Sequence, residues 1–503
     1  MCIVCNIKSL MICFYLTFVI VECIISAAMK AKNSFQINPY LLLIVSFIGI
    51  TLIGSFLLCM PFAFKDNPNN EWCHVGNYLD ALFTSLAAMS LTGVTTYPNG
   101  MAATLSFGGE MVVLVLMQIG GLGIVTILTF ILTLFRDKIQ FKNRLFISQA
   151  VAFNNFGEIV YYVRRLIIIT IVCELLGFGL GIPLFAKIFP GDVPHILYYS
   201  LFHSVSAFNN VGFDLFNEAD SLVGGLGTMI TTDNWLYYYF TIYVSVLSLL
   251  GGISFLAIID MVLSHKPPRR WSSFTKIVLT MSGALIVFFA LMLWFSDGFR
   301  SNNPINLYQC FIHTINCRTA GFSVYPLDDL SLPGRMITCL IMFIGGSPLS
   351  TAGGIKVTTV FVIIMSIVSY FRGKSTSLFK RRYSDTLIAK SMTIVFIVVF
   401  ILVLSFVGLV FFGTKEVAGY EMSENVKDNL NEYYLFEVFS CFGNVGFFTT
   451  LEPCLSTGSL IILCFLMLFG HLGPMTFIQL LQNHLDKNAV MHYSFVEEDI
   501  LIG

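Results

Sequence analysis

The sequence predicts an all-α polytopic membrane protein built from four repeated membrane–re-entrant loop–membrane units. Three observations carry this. Of 503 residues, 56% are hydrophobic and only 11% charged, with a mean hydropathy of +0.82, whereas soluble domains carry about 25% charged residues. Apolar runs at 40–60, 111–135, 235–263, 357–371, 387–413 and 458–470 with its extension come near or exceed the roughly 20 residues that cross a bilayer core. Finally, a glycine-containing break recurs four times between apolar runs: LTGVT (91–95), NVGF (210–213), TAGF (319–322) and NVGF (444–447).

Taken in order, the first element is the N-terminal segment 1–37. Met11–Ala28 is apolar and flanked by Lys8, Lys30 and Lys32, so it reads as an extra helix, a signal-like segment or sequence upstream of a start at Met29. The long apolar stretch and the positive charge at both ends favour the extra helix. The four units then run 38–145, 146–272, 273–384 and 385–484, and a tail of 485–503 follows. Gly93, Gly212, Gly321 and Gly446 are separated by 119, 109 and 125 residues, and near-regular spacing marks internal repetition.

Lys and Arg gather in alternate loops. The first set is Arg136, Lys138, Lys142, Arg144, Arg164 and Arg165; the second is Lys266, Arg269, Arg270 and Lys276; the third is Arg372, Lys374, Lys380, Arg381, Arg382 and Lys390. The intervening loops carry carboxylates instead, at Glu218, Asp220, Asp328, Asp329, Glu421 and Glu424. The positive-inside rule makes the basic loops cytoplasmic, and with them the C-terminus. Each unit then begins and ends on one side, so its short middle piece must enter the membrane and return.

Those middle pieces are candidate half-helices: Asp80–Ser90 with Asp80 as N-cap, Tyr199–Phe208, Leu307–Asn316 and Tyr433–Phe442. Their C-terminal carbonyls carry partial negative charge toward the centre, which favours a cation there. Irregular backbone at membrane depth is tolerated only where protein or a water-filled cavity satisfies it. A glycine in each break frees the backbone to turn carbonyl oxygens inward, and four such strands form a ring able to replace an ion's hydration shell. No carboxylate occupies the glycine or the two positions before it in any break, which argues for a monovalent, weakly hydrated cation. A lone NVGF is an ordinary turn; four copies in register with the topology point to a central ion pore.

These residues resemble the TrkH/KtrB-type potassium uptake subunits of the Trk/Ktr/HKT superfamily. The likeness runs from about Asn38 to the C-terminus and includes QIGGLGIVT (118–126), GGISF (251–255), FIGGSPLSTAGGIKVTT (343–359) and GHLGPMT (470–476); the ending EEDILIG (497–503) is similar to the KtrB branch. The resemblance implies potassium uptake through a pseudo-fourfold pore. Its filter oxygens would come from Leu91, Thr92 and Gly93; Asn210, Val211 and Gly212; Thr319, Ala320 and Gly321; Asn444, Val445 and Gly446. Glycine in all four filters goes with potassium preference in the family, with a sodium-permeable or weakly selective transporter as the alternative.

Arg318, beside the third break, is charged at membrane depth and therefore marked for function. Pointed inward it would repel the ion, so it reads as a brace behind the filter, with Glu437 and Asp214 as candidate partners. GGSPLSTAGGIK (345–356) sets four glycines and a proline in what should be one inner helix, so an unwound middle is expected. Gly345, Gly346, Ser347, Pro348, Ser350, Thr351, Gly353 and Gly354 would form a gating loop under the filter, with Lys356 at its cytoplasmic end. By the resemblance, His471, where relatives usually carry arginine, would face that loop, either bonding a loop carbonyl, weakening electrostatic closure or making it pH-sensitive.

The thirteen cysteines show no close CxxC pair and read as small hydrophobes. His203 and His313 precede their glycines by nine and eight residues, a place for structural hydrogen bonds and not for a metal. No GxSxG or HExxH appears, so an enzyme is excluded, and a net charge of −1 gives no reason to expect nucleic acid. No nucleotide-binding glycine motif follows a strand, so this chain binds no cofactor beyond the transported potassium. The resemblance instead implies a homodimer in the cell membrane, docked on a cytoplasmic RCK-type (KtrA/TrkA-like) ring that binds NAD(H) or ATP/ADP, with sodium dependence possible in the family.

Overall fold

The computed structural model describes residues 39–65, 72, 77–98, 100–123, 159–216, 234–263, 267–299, 304–322, 325, 327–373, 377–378, 381–417, 422, 424–447, 449 and 451–485. The N-terminal segment 1–37, the basic residues Arg136, Lys138, Lys142, Arg144, Lys266, Lys374 and Lys380, the carboxylates Glu218, Asp220 and Glu421, and the tail beyond Leu485 lie outside them. Among the described residues the regular secondary structure is helical apart from a two-residue antiparallel pairing, Ser377–Leu378 with Arg381–Arg382, and three isolated bridges. It is an all-α polytopic membrane protein.

One order of elements recurs four times. In the first unit an outer helix α1 (Pro39–Leu58) leads to a short helix α2 (Tyr78–Met89), a break, and an inner helix α3 (Phe107–Leu122). The second has α4 (Ile159–Ile188), α5 (Val193–Phe208) and α6 (Asn234–Gly252). The third has α7 (Ser273–Asp297), α8 (Leu307–Thr319) and α9 (Leu332–Phe343), with α10 (Val357–Phe371) beyond a loop. The fourth has α11 (Asp385–Phe412), α12 (Leu430–Gly443) and α13 (Thr457–Leu472), continued by α14 (Pro474–Leu485).

The units close on themselves. Each inner helix packs on its own short helix and also on that of the next unit: α3 on α5, α6 on α8, α9 on α12, and α13 back on α2. Outer helices face the surroundings. Along α11, Val398, Leu402, Ser405 and Leu409 are buried, while Phe396, Phe400, Val403, Val407 and Phe411 are exposed, a helical stripe packed on protein with the other face left for lipid.

Several elements differ from the sequence expectation for local reasons. Two long spans, α4 and α7, lie beyond the six apolar runs; Arg164, Arg165, Glu174 and Lys187 interrupt the first. Arg164 and Arg165 thus sit inside a helix and not in a loop. The run 235–263 is not one span: α6 stops at Gly252, and a short helix (Phe255–Ile258) and a π-turn follow. The fourth inner segment bends by 90° between α13 and α14, where Gly473 has φ 80° and Pro474 follows.

Asp80 is not the N-cap of α2. Asn77 takes that place, and Asp80 closes a capping box from the third helical position, its Oδ2 accepting from Asn77 N at 2.8 Å. Its Oδ1 accepts from Thr96 Oγ1 at 2.8 Å, tying the helix start to the chain just past the break. Asp80→Ala removes both bonds, and the melting temperature of the purified protein should drop by an amount equivalent to about 1–2 kcal/mol; an unchanged melting temperature would show the cap to be dispensable.

Candidate functional site

The four breaks meet one another. In the first, second and fourth units the residue two before the glycine adopts left-handed backbone: Leu91 (φ 62°), Asn210 (φ 57°) and Asn444 (φ 51°). This reverses the chain, so the next N–H reaches back five residues: Thr92 to Ala87 (2.8 Å), Val211 to Ser206 (2.9 Å), Val445 to Ser440 (3.0 Å). That is the wrap that ends a helix with a left-handed residue.

The third unit departs from this pattern. Helix α8 runs on through Thr319, beyond the predicted end at Asn316, and Gly321 itself makes the five-residue bond, to Asn316 at 3.2 Å. Threonine, branched at Cβ, resists the left-handed conformation that asparagine tolerates.

All four glycines have positive φ, from 69° at Gly321 to 90° at Gly212. Each also yields space to a carbonyl of the next unit. A Cβ on Gly93 would fall on the Val211 oxygen, one on Gly212 would lie 2.7 Å from the Ala320 oxygen, one on Gly321 would fall on Val445, and one on Gly446 on Thr92. The carbonyls of the four residues just before the glycines therefore form a closed cycle against glycine backbone. Leu91, Thr92, Val211, Ala320 and Val445 are all buried.

Side chains brace this cycle from behind. Asn444 Nδ2 donates to Thr92 Oγ1 (2.8 Å) and to Met467 O (3.1 Å), joining the fourth break to the first. The Asn210 amide donates to Ser248 and accepts from Gly252 N (3.1 Å) and the Thr351 hydroxyl (2.7 Å). Both amide side chains hold the backbone of their breaks.

Between α9 and α10 the chain is unwound, with Leu349 (φ 55°) and Gly354 (φ 70°) left-handed. Ile355 N bonds Phe343 O (3.2 Å) and Val357 N bonds Gly346 O (3.1 Å), so the two ends of the loop run parallel and close it. Gly345 and Gly353 touch backbone to backbone, and Gly353 abuts Asn444 Oδ1. Toward the second unit, Ser347 N reaches Gly252 O (3.3 Å), Thr351 Oγ1 reaches Gly251 O (3.1 Å), and Leu349 O accepts from Phe255 N (3.1 Å). Within the loop Ser350 Oγ caps Ser347 O (2.7 Å), Pro348 is half-buried, and Lys356 Nζ folds back onto Ala352 O (2.6 Å).

Arg318 is buried, and its partners are not the carboxylates Glu437 or Asp214. Its Nε donates to Gly345 O and its Nη2 to Ser282 Oγ, each at 3.1 Å. The longer α8 aims position 318 at the loop; Glu437 faces Thr449 instead, and Asp214 accepts from Phe216 N. The His471 ring packs on Phe47 with centroids 5.3 Å apart. His203 Nδ1 meets Tyr199 O (2.8 Å) and His313 Nε2 meets Thr338 (3.3 Å). Among the described residues no group of three or more His, Cys, Asp or Glu could hold a metal ion.

The sequence reading passed over Glu174. Its carboxylate accepts from Asn209 Nδ2 (3.1 Å) and Gln118 Nε2 (3.2 Å), directly behind the second break. A lone carboxylate in the middle of an apolar span was the signal that marked it.

The chain matches the TrkH family, described as cation transport protein, over residues 11–493. It belongs to the TrkH family. As a member of a family of transporters, it is not an enzyme. This TrkH-family chain is 30% identical over 451 residues to Ktr system potassium uptake protein B of Bacillus subtilis, covering 88% of the chain and 93% of the relative. It is 27% identical over 484 residues to potassium/sodium uptake protein NtpJ of Enterococcus hirae, covering 94% and 99%. The crystal structure of the potassium transporter TrkH from Vibrio parahaemolyticus matches it with a TM-score of 0.58 at 18% identity, over 89% of this chain and 86% of that one, a likeness of fold.

Proposed function

We propose that this chain takes up potassium across the cell membrane through a central pore, with the cycle of carbonyls at Thr92, Val211, Ala320 and Val445 as the core of its selectivity filter. The observation that carries the reading is that cycle itself: four backbone oxygens presented by four glycine-permitted breaks, with no carboxylate among the filter residues. Carbonyl dipoles of this kind substitute for the hydration shell of a weakly hydrated monovalent cation. The names of the relatives, potassium uptake and potassium/sodium uptake proteins, support the same ion class.

The unwound segment Gly345–Lys356 acts as the gate in this reading, supported by its position against the second and fourth breaks and by the absence of helix. A cytoplasmic nucleotide-binding ring regulates it and the membrane subunit is a homodimer with a cytoplasmic C-terminus, a reading supported by relatives named as parts of a Ktr system and by the exposed Arg269 and Arg270.

Complementation of a potassium-uptake-deficient strain, with and without a ring subunit and at varied sodium, tests the function: growth at limiting potassium is expected, and no rescue under any condition would count against it. Competition between potassium and sodium in flux assays separates the selective transporter from the sodium-permeable alternative. The gate carries its own prediction. His471→Arg adds a permanent positive charge near the end of α13 and should lower potassium flux in proteoliposomes several-fold, since positive charge near a cation path raises its barrier; unchanged flux would remove the electrostatic role of this position.

A further inference from the structure

Behind the fourth break, three side chains are packed in a way the other units do not repeat. Glu437 lies nine residues before Gly446, where the other units carry Thr84, His203 and Ile312. Glu452 follows the break, and Thr449 lies between them in sequence and in space. Thr449 Oγ1 is 2.8 Å from Glu437 Oε1 and 2.9 Å from Glu452 Oε2. Thr449 N donates to both Glu452 oxygens, at 2.8 and 2.9 Å. Both glutamates are 0% exposed. Glu437 Oε2 has no donor among the described residues, and the Thr449 hydroxyl, which carries a single proton, stands within hydrogen-bonding distance of both carboxyls.

An acceptor buried against an acceptor is repulsive unless something positive sits between them. Among the described residues the hydrogen bonds to these two carboxyls come from Thr449, and none comes from a Lys, Arg or His. The titratable groups on neighbouring elements supply no such charge. Cys441 on the same helix, Cys464 on α13 and Cys339 on α9 are thiols and bring no positive charge; Arg335 on α9 is paired with Glu432 at 2.7 Å. His313 on α8 packs at a tilt against Phe447 (5.6 Å), α11 carries no titratable residue between 391 and 412, Lys415 meets Cys454 O through its backbone N–H (2.6 Å), and Lys427 lies on the short helix Glu424–Asp428. The first unit provides the contrast: its corresponding threonine, Thr96, bonds a single carboxylate, Asp80, whose two oxygens are both satisfied by donors.

We propose that Glu437 and Glu452 form a proton-binding site, holding one proton between Glu437 Oε2 and the Glu452 carboxylate, and that this proton pins the chain beyond the fourth filter glycine to α12. Two carboxylates in contact in a dehydrated site share a proton because both cannot ionise together. The proton supplies the donor that Glu437 Oε2 lacks, and Thr449 ties the pair to the strand three residues past Gly446. When the proton leaves for bulk water, two like charges face each other and the strand loses its anchor.

The full-length protein in detergent tests this, and the test does not depend on which ion is transported. The folded chain binds one more proton than the unfolded chain once pH exceeds the ordinary carboxylate range, so the site makes the melting temperature fall as pH rises. Glu437→Gln keeps the shape and supplies a permanent N–H donor to Glu452. It should flatten this fall relative to wild type, with a difference of several degrees in alkaline buffer. The infrared C=O band of a protonated carboxyl should be present in the wild type, lost at alkaline pH, and absent in E437Q; the wild-type spectrum reads the site even if the variant folds poorly. Parallel pH profiles for the two proteins, or no protonated-carboxyl band, would overturn the proposal. Restoration of wild-type alkaline stability by sodium or potassium would overturn it in favour of a metal ion as occupant.

Discussion

Gly446→Ala is expected to reduce potassium flux in proteoliposomes to less than a tenth of wild type. Two independent terms act. Gly446 has φ 77°, and an L-residue held in the left-handed region costs about 1–2 kcal/mol, which alone is a factor of about 5–30 in a population. The new Cβ would also fall on the Thr92 carbonyl oxygen, so the first strand must leave its place in the cycle. Gly212→Ala serves as the graded control. Its closest neighbour is the Ala320 oxygen at 2.7 Å, so a smaller shift suffices and residual flux should be higher. Wild-type flux and selectivity in Gly446→Ala would remove the carbonyl cycle from the conduction path.

Arg318→Met is expected to raise basal flux about tenfold while leaving the protein monodisperse and folded. Hydrogen bonds from a charged donor contribute about 1.5–3 kcal/mol each, and Arg318 gives one to the loop at Gly345 and one to Ser282. Losing the loop bond shifts a closed–open balance by at least about 1.4 kcal/mol, a factor of ten. The buried guanidinium has only neutral partners, an arrangement whose desolvation is poorly offset, so its removal should not by itself collapse the fold. Ser282→Ala keeps the bond to Gly345 and should change flux much less. A fall in flux that tracks a loss of folded protein would make Arg318 a structural brace with no hold on the gate.

The legible part of the site came from glycine and from apolar length. Gly93, Gly212, Gly321 and Gly446 stand out because a break in lipid is costly and four evenly spaced ones demand a common cause. The unwound stretch at 345–356 was legible for the same reason, since four glycines and a proline oppose helix locally. What escaped depended on neighbours far along the chain. Asp80 looked like a cap because residue type alone does not distinguish the N-cap from the third position of a capping box. Glu437 looked like a partner for Arg318 on charge, but α8 continues to Thr319 and turns the guanidinium toward Gly345. Glu174 stands out in the sequence as a lone carboxylate in an apolar span, but what it binds appears only when Gln118 and Asn209 from two units come together.

By itself, the sequence determined the membrane class, the fourfold recurrence and the positions where the helices must break, because hydrophobic length and backbone freedom are local properties. The tertiary structure decided which carbonyl rests against which glycine, that the third strand enters the cycle without a left-handed residue before its alanine, and that two glutamates share Thr449. Those outcomes follow from closing four units into a circle. It brings Asn444 against Thr92 across 352 residues of chain, a pairing that packing selects and no local propensity encodes.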